Sequence, residues 1–267
     1  MDDSDKIPHR GHEVLEVLAR FGGSARNAQI AHALGVSEET VRRLVRTLAQ
    51  AGKVERVHGG TYLSHPQDAP IYSSALEKNA TAKSEIARKA ADLIADKMTV
   101  FLNVGSTTTY VAEQLRRLSG LTVVTNSIPA IASLAGNNGS RVFLTGGEVM
   151  RAERGSFGRT AEALAQQFAY DALIVGADGL SPQHGFVTGN ALEADLTRAI
   201  AGQAERVIVV ADLSKLHKRA PFVACQPELI TDFVTERDPD PALADALAGW
   251  GITTHAAIPA MTEAEAR

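Results

Sequence analysis

The sequence predicts an α/β protein in two parts: a small N-terminal domain of helices and a hairpin, and a larger domain with a mostly parallel, doubly wound sheet. Three observations predict this class. Helical apolar stripes fill the start of the 267-residue chain, and from residue 99 onward short apolar runs alternate with helical stretches. Those apolar runs end in small or polar residues, as buried parallel strands do at a ligand-binding edge.

Composition limits the classes of function. Hydrophobic residues make up 45% of the chain, enough for a sizeable core, whereas aromatic residues make up only 5%. So few aromatic rings argue against a protein that binds single strands by base stacking. The lone cysteine, Cys225, excludes an intramolecular disulfide and a multi-cysteine zinc site, and its apolar neighbours indicate a core position. We therefore predict no metal and no cofactor.

The chain start and the charge distribution bear on location and partners. The first 13 residues are acidic and polar, unlike a secretory signal, and no apolar run approaches the roughly 20 residues that span a bilayer, so we expect a cytoplasmic protein without a membrane partner. The net charge is −4, yet residues 40–60 hold five basic residues and one acidic residue. Such a segment indicates contact with a polyanion, although a solvated helix face would show the same charge.

The N-terminal third predicts three helices. The stretch "GHEVLEVLARFGG" places apolar residues on one helical face and ends in two glycines. The stretch "NAQIAHALGVSEETVRRLVRTLAQAGK" predicts two more helices with a tight turn at Gly35, where glycine tolerates a positive φ, and an N-cap at Ser37. Ala31 allows close approach of the two helices, and Val41 and Leu44 fix the second on the first. This is the pattern of a helix-turn-helix.

A short hairpin follows in "KVERVHGGTYL", with a Gly-Gly turn between apolar strands. A basic hairpin after a recognition helix is a wing, so the segment predicts a winged helix-turn-helix that binds double-stranded operator DNA. The alternative for the whole segment is a helical protein-interaction module. For His58 alone, a plain turn residue explains the pattern as well as a DNA contact does. The predicted DNA-binding residues are Ser37, Glu39, Thr40, Arg42, Arg43, Arg46, Arg56 and His58.

Domain boundaries follow from these patterns. We predict a DNA-binding domain at residues 1–63, a linker and lead-in at 64–83 with two prolines and little periodicity, and an α/β domain at 84–267. Seven apolar runs in the last region predict strands: "TVFLNVG", "LTVVTNS", "RVFLTGG", "DALIVGADG", "RVIVVADLSK", "LITDFVTE" and "ITTHAAI". Helical stretches are predicted at about 107–118, 128–136, 159–168, 191–203 and 240–249.

Five predicted strands exit into polar groups, and these exits predict a ligand crevice at the carboxyl edge of the sheet. The turn from Gly105 to Thr109 reads as an anion site, because a helix N-terminus offers unpaired N–H groups; it matches neither a Walker loop nor a dinucleotide-binding loop. Asp178, Glu193 and Lys215 could supply the base and the cation of an aldose–ketose isomerase, or could be hydrogen-bonding residues of a binding pocket.

Both halves resemble the DeoR/GlpR family of bacterial sugar-catabolism regulators. The winged helix matches that family's pattern at Ser37, Thr40, Val41, Arg42, Arg43, Gly52, Arg56, His58, Gly59 and Gly60. The larger domain is similar to the family's sensor domain in "GSTTTYVAEQL", "LTVVTNS", "LTGGEV", "GSFG", "GADG", "LEADLTRAI" and "VVADLSK". The resemblance implies a fold like those of ribose-5-phosphate isomerase and CoA-transferases, used to sense phosphorylated sugars or related metabolites.

The resemblance also implies site residues. It assigns Gly105, Ser106, Thr107 and Thr108 to a phosphate, and Thr125, Asn126, Gly146, Gly147, Asp178, Glu193 and Lys215 to the surroundings of a sugar, with Asn103 beside them. Three residues depart from the family pattern. Leu44 and Asn103 stand where the family usually has Asp, and Thr197 stands where it often has Lys.

Three functions compete at this point. A transcription regulator, most simply a repressor of a carbohydrate-catabolism operon controlled by a phosphorylated sugar, explains both domains and the basic segment. A sugar-phosphate isomerase with an appended interaction domain explains only the larger domain. A nucleic-acid-associated structural protein leaves the polar strand ends unexplained. A regulator reads paired DNA half-sites, so we expect a homo-oligomer, a dimer or a tetramer.

Overall fold

The structure is a computed structural model, and it describes residues 9–20, 24–57, 60–63 and 75–258. The chain divides into two compact units, residues 1–71 and 72–267, and each is described by itself. Of the predicted elements, the tip of the hairpin with His58 and Gly59, and residues 64–74 of the predicted linker, lie outside the described residues.

The first unit is a three-helix domain with a small antiparallel sheet. Its elements are α1 (His9–Arg20), β1 (Ser24–Arg26), α2 (Asn27–Leu34), α3 (Glu38–Gln50), β2 (Val54–Val57) and β3 (Gly60–Leu63). The strand order is β1-β3-β2, with β2 and β3 forming the predicted hairpin. The helix-turn-helix and its wing are confirmed.

One apolar core holds this first unit together. It includes Val14 and Leu18 from α1, Ile30 from α2, and Val41 and Leu48 from α3, each fully shielded from solvent. Leu44 is also buried, with 8% of its surface exposed, so the apolar residue at this departure from the family pattern packs into the core. Burying a side chain of this size contributes about 1.5–3 kcal/mol to stability.

The second unit is built on a seven-stranded parallel sheet, and each of the seven predicted apolar runs forms one strand. These strands are β4 (Thr99–Leu102), β5 (Thr122–Thr125), β6 (Arg141–Leu144), β9 (Tyr170–Val175), β12 (Ala204–Val210), β14 (Asp232–Thr235) and β15 (Thr253–Ala256). The helices are α4 (Ala80–Ala91), α5 (Ser106–Leu115), α6 (Ile128–Leu134), α7 (Arg159–Ala165), α8 (Ala191–Ala201) and α9 (Pro241–Gly249), with 3₁₀ turns at Leu213–Lys215 and Pro227–Leu229.

The direction in which successive strands are added reverses at the centre of the sheet. The strand order is β15-β14-β12-β9-β4-β5-β6, so the chain builds outward from β4 to β6 and then returns to place β9 on the other side of β4. From β9 it builds outward again to β15. The carboxyl ends of β4 and β9 therefore flank the topological switch point, where open α/β sheets bind ligands.

Apolar side chains cover both faces of the sheet. Because side chains alternate along a strand, Val100 and Leu102 pack with α4, α5 and α6 on one face, whereas Phe101 packs with α7, α8 and α9 on the other. This is the doubly wound arrangement that the sequence predicts, with helices on both faces of the sheet.

Two small antiparallel sheets were not predicted from the sequence. One pairs β7 (Glu148–Met150) with β8 (Gly155–Phe157), and the other joins β10 (Gly179–Ser181), β11 (Gly185–Thr188) and β13 (Phe222–Val223). Their strands are two to four residues long, too short for alternation to show in the sequence. They matter because the β7–β8 turn and the end of β11 bring polar side chains to the crevice.

The helix α4 begins at Ala80, inside the range predicted as linker and lead-in. Asn79 precedes it with a φ of 56°, a left-handed conformation that asparagine tolerates, and this residue separates the helix from residues 75–78. The predicted domain boundaries at 63 and 84 stay predictions.

We predict that Gly147→Ala destabilises the second unit more than Gly136→Ala does. Both glycines have a positive φ, of 99° and 75°, so each alanine meets the cost of about 1–2 kcal/mol of a left-handed residue. Only at position 147 would the new Cβ lie 2.2 Å from the backbone oxygen of Phe157, whereas position 136 is open. Overpacking should add at least about 1 kcal/mol. Urea unfolding followed by Trp250 fluorescence measures the free energy of unfolding of both variants. An equal loss of unfolding free energy in the two variants would contradict the predicted clash at position 147.

Candidate functional site

The candidate DNA-binding element is the α2–turn–α3 segment. The turn closes at Gly35, with a φ of 63°, where the Val36 N–H donates to the carbonyl of Ala31 at 3.1 Å. Ser37 caps α3 by accepting the N–H of Thr40 at 3.2 Å, and the two hydroxyls lie 2.9 Å apart. The cap fixes where α3 begins, and hence which of its side chains face outward.

The predicted arginines of α3 are exposed, but they differ in their partners. Arg42 lies 3.3 Å from Glu39 and 3.7 Å from Glu38, both on the same helix. Arg43 and Arg46 are exposed and form no ion pair with any residue that the structure describes. Exposed pairs of this kind contribute little to stability, so Glu38 and Glu39 mainly lower the local positive charge around Arg42.

The wing carries the remaining predicted DNA contacts. Arg56 lies on β2, opposite Thr61 of β3. Its side chain and the whole of His58 lie outside the described part of the structure. Both DNA contacts stay predictions.

A second candidate site is the effector cleft, which we define by the residues that line it at the carboxyl edge of the large sheet. The cleft lies where β4 and β9 meet, at the switch point. Its lining residues are Val104, Gly105, Ser106, Thr107, Glu153, Gly176, Ala177, Asp178, Glu193 and Lys215. Of the twelve predicted effector residues, the structure therefore brings six together here: Gly105, Ser106, Thr107, Asp178, Glu193 and Lys215.

One end of the effector cleft is the N-terminus of α5. The first amides of a helix have no carbonyl partner within it and carry a partial positive charge. Gly105, with a φ of 140°, lets the chain turn from β4 into this helix. The hydroxyls of Thr108 and Thr109 both donate to the carbonyl of Gly105, at 3.0 and 2.8 Å, and so brace the loop.

The described lining of the effector cleft also includes three carboxylates, those of Glu153, Asp178 and Glu193, and the ammonium of Lys215. Asp178 lies 3.5 Å from the Nζ of Lys215 and accepts the N–H of Gly189 at 2.9 Å. The hydroxyl of Thr188, at the end of β11, lies 2.8 Å from Glu193 and 3.3 Å from Asp178. Neighbouring carboxylates thus share one hydroxyl group and a single ammonium.

Burial and mutual repulsion keep two of these acids protonated to a higher pH than usual. Desolvation is the main cause that raises the pKa of Glu193 to about 8, and the charges of Asp178 and Glu153 raise it further, against the opposing hydrogen bond from Thr188. Desolvation, followed by the charge of Asp178, also raises the pKa of Glu153. At neutral pH, Glu193 is therefore mostly a neutral carboxylic acid that can donate a hydrogen bond.

The other predicted effector residues do not line the cleft. Thr125 donates to the carbonyl of Leu102 at 2.5 Å and accepts the N–H of Ser127, so it joins the ends of β4 and β5. Asn126 accepts the N–H of Val104 at 3.0 Å. Its Nδ2 is buried without a hydrogen-bond partner among the described residues. Thr108, Gly146 and Gly147 likewise do not line the cleft.

Asn103 and Thr197, two of the residues that depart from the family pattern, contact each other. Asn103 donates to the hydroxyl of Thr197 at 3.2 Å, and both side chains are buried. Asn103 also lies 3.5 Å from a carboxylate oxygen of Glu193. An uncharged hydrogen-bonded pair therefore lies behind the effector cleft, at the two positions where the resemblance predicts an acid and a base.

Sequence reasoning missed two polar residues of this site. Glu153 lines the effector cleft from the β7–β8 turn, and Thr188 bridges Glu193 and Asp178 from β11. Glu153 lies in the charged stretch "RAERG", which has the composition of an exposed loop. Thr188 is followed by Gly189 and Asn190, a possible strand end, and that polar exit was the one signal available for it.

A membrane-spanning element is absent from the helices that the structure describes, none of which is both long and apolar enough to cross a bilayer.

Comparisons with known proteins address both units. A family model of the DeoR C-terminal sensor domain matches residues 78–237, and a model of the IclR helix-turn-helix domain matches residues 9–58. Among solved structures, ribose 5-phosphate isomerase A from Methanocaldococcus jannaschii aligns with 53% of this chain and 56% of its own, at 19% sequence identity and a TM-score of 0.39.

Curated relatives align over both units. The HTH-type transcriptional regulator GlpR of Haloferax volcanii is 30% identical over 91% of this chain and 95% of its own length. The glycerol-3-phosphate regulon repressor of Escherichia coli K12 is 28% identical over 80% of this chain and 85% of its own length. The sensor match alone spans more than half of the 267 residues, so the chain belongs to the DeoR family of transcriptional regulators.

Proposed function

We propose that this regulator is a repressor of a carbohydrate-catabolism operon, and that a phosphorylated sugar bound in the effector cleft controls its affinity for operator DNA. The single observation that carries the proposal is the placing of the α5 N-terminus and Lys215 in one cleft. A phosphate there would receive backbone N–H groups from one side and an ammonium from the other. The repressor named among the relatives supports the direction of control.

The carboxylates define where the sugar lies. Asp178 and Glu153 can accept hydrogen bonds from sugar hydroxyls, and the protonated Glu193 can donate one. A phosphate placed against the carboxylates alone would be repelled, so the anion belongs beside Ser106, Thr107 and Lys215, and the sugar hydroxyls belong beside the carboxylates.

We also propose that the cleft senses its ligand and does not convert it, and that the chain acts in the cytoplasm as at least a homodimer. A dimer presents two α3 helices to paired half-sites. The isomerase alternative shares the residues Asp178, Glu193 and Lys215, so activity decides between them. Incubating the protein with glycerol 3-phosphate, ribose 5-phosphate and fructose 6-phosphate, and measuring each by mass spectrometry and by isomer-resolving chromatography, tests conversion. Turnover of any of them would favour the enzyme.

Arg43→Ala and Arg46→Ala should each weaken binding to a DNA fragment from upstream of the chain's own gene. Both side chains are exposed and free of partners in the described structure, so their full charge is available to DNA. Loss of a phosphate contact should lower the slope of log K against log salt by about 1, and loss of a base contact should cost about 1–3 kcal/mol. Fluorescence anisotropy at several salt concentrations measures both.

The matched control is Arg159→Ala, at an exposed position on α7 of the sensor unit. It should leave DNA affinity unchanged. Arg42→Ala should have a smaller effect than Arg43→Ala, since Arg42 must leave Glu38 and Glu39 to reach DNA. If Arg43→Ala and Arg46→Ala both bound DNA as tightly as the wild type, the proposal that α3 contacts DNA would be contradicted.

Lys215→Gln should weaken the binding of glycerol 3-phosphate, or of whichever sugar phosphate from the three binds most tightly, by roughly tenfold or more. The reason is that a charge-assisted hydrogen bond contributes about 1.5–3 kcal/mol. Isothermal titration calorimetry measures the affinity, and DNA binding without the sugar phosphate should not change. Lys218→Gln is the matched control, because Lys218 lines a different cleft. A similar loss in both variants would indicate general electrostatics and contradict the proposed phosphate contact.

Glu193→Gln should make the stability of the second unit less dependent on pH. The folded protein holds the Glu193 proton up to a pH of about 8, whereas the unfolded chain releases it near 4.5, so the wild type loses unfolding free energy as pH rises between these values. At pH 8 the variant should be more stable than the wild type by at least about 1 kcal/mol, and near pH 4.5 the two should converge.

Urea unfolding followed by Trp250 fluorescence at several pH values checks this prediction. Glu205→Gln, at an exposed position, controls for the loss of one negative charge. A constant difference between Glu193→Gln and the wild type from pH 4.5 to 8 would show that Glu193 titrates normally in the folded protein.

A further inference from the structure

The segment of residues 75–79, which we call the lead-in segment, contacts two elements of the effector cleft: the helix α5, whose N-terminus lines the cleft, and the 3₁₀ turn that carries Lys215. Along the chain it follows residues 64–74, which connect it to the DNA-binding unit. A signal that passes between the units through the covalent chain must therefore pass through this segment.

The first contact joins the lead-in segment to α5. The hydroxyl of Tyr110 donates to the carbonyl of Leu76 at 3.1 Å. Tyr110 lies one turn after Ser106 and Thr107, the residues at the anion-binding end of the same helix. A movement of α5 along its axis would carry Tyr110 with it, because a helix moves as a stiff unit.

The second contact joins the lead-in segment to the 3₁₀ turn that carries Lys215. The side-chain amide of Asn79 donates to Oδ1 of Asp212 at 2.9 Å. The same oxygen accepts the N–H of Ser214 at 3.0 Å, and the carbonyl of Asp212 accepts the N–H of Lys215 at 3.0 Å. Asp212 thus holds Asn79 with its side chain and Lys215 with its backbone.

A buried lysine makes the lead-in segment stiff. Lys83 has only 3% of its surface exposed, and its Nζ donates to the carbonyls of Ala75 and, at 2.7 Å, Lys78. Moving those carbonyls away would take from a buried ammonium both of its acceptors among the residues that the structure describes, which is costly. The segment therefore shifts as a whole or stays where it is.

We propose that the lead-in segment transmits the state of the effector cleft to the DNA-binding unit, with Asn79 and Tyr110 as positioning residues that touch neither the sugar phosphate nor the DNA. The inference rests on the proposed function. A phosphate held between the α5 N-terminus and Lys215 contacts the helix that carries Tyr110 and the turn that Asn79 holds through Asp212. The two cleft elements thus share one lead-in segment, and a change in their spacing changes its position.

The test compares Asn79→Gly and Tyr110→Phe with the wild type in the full chain. Glycine is chosen at position 79 because it tolerates the φ of 56° and removes only the amide. Asn138→Gly is the matched control: Asn138 also has a positive φ, of 43°, and its amide also donates to a carbonyl, that of Arg116 at 2.8 Å. Glycerol 3-phosphate, ribose 5-phosphate and fructose 6-phosphate are the probes.

Two quantities are measured for each protein. Calorimetry gives the affinity for each probe without DNA, and anisotropy gives the ratio of DNA dissociation constants with and without saturating probe. In the wild type and Asn138→Gly we expect a ratio of about 5- to 150-fold, the usual range of allosteric coupling. In Asn79→Gly and in Tyr110→Phe the ratio should fall at least about threefold, and in the double variant it should approach 1, with probe affinity within about twofold of wild type.

A coupling ratio that stays at the wild-type value in the double variant would overturn the inference while leaving the proposed function intact. Loss of probe affinity in Asn79→Gly or Tyr110→Phe would also overturn it, since these residues would then belong to the binding site. A wild type that binds none of the probes would count against the proposed function itself, and the inference would fail with it.

Discussion

The pairing of β4 with β9 is the constraint on which the rest of the second unit depends. These strands lie 68 or more residues apart in the chain, yet Val100, Phe101 and Leu102 pair in parallel with Ala172, Leu173 and Ile174. Their pairing sets the reversal of the sheet and places helices on both faces. It also leaves the carboxyl ends of the two strands side by side with no crossover helix above them, and the effector cleft occupies that opening.

Sequence patterns predicted the regular part of this structure well, because burial on both faces gives parallel strands continuous apolar runs. The runs around Phe101, Leu173 and Val209 each became a strand, and the helix stripe around Val41 became α3. The patterns failed where contacts join short segments distant in the chain. Glu153 and Thr188 reach the cleft only because two small sheets fold over the carboxyl edge, and strands of three or four residues carry no detectable period. Thr125 and Thr108 carry hydroxyls of the kind that bind a phosphate or a sugar, but these hydroxyls donate to backbone carbonyls instead.

The effector cleft combines groups that oppose one another electrically. In the lining that the structure describes, three carboxylates lie near one lysine; Glu193 stays protonated to a higher pH than usual, and Asp178 pairs with Lys215. A ligand with an anion at one end and hydroxyls at the other fits this division. Removing its phosphate would leave Lys215 with Asp178 alone, so the contact between these two residues is the natural competitor of the ligand.

The uncharged contact between Asn103 and Thr197 has a consequence for anyone who redesigns this pocket. Both side chains are buried, so converting either one alone to a charged residue would strand that charge beside its neutral partner, and a new aspartate at position 103 would also face Glu193. Libraries that vary one position at a time would therefore discard each change as destabilising. Only simultaneous replacement of both residues, with opposite charges introduced together, gives a pocket with a charged pair at positions 103 and 197.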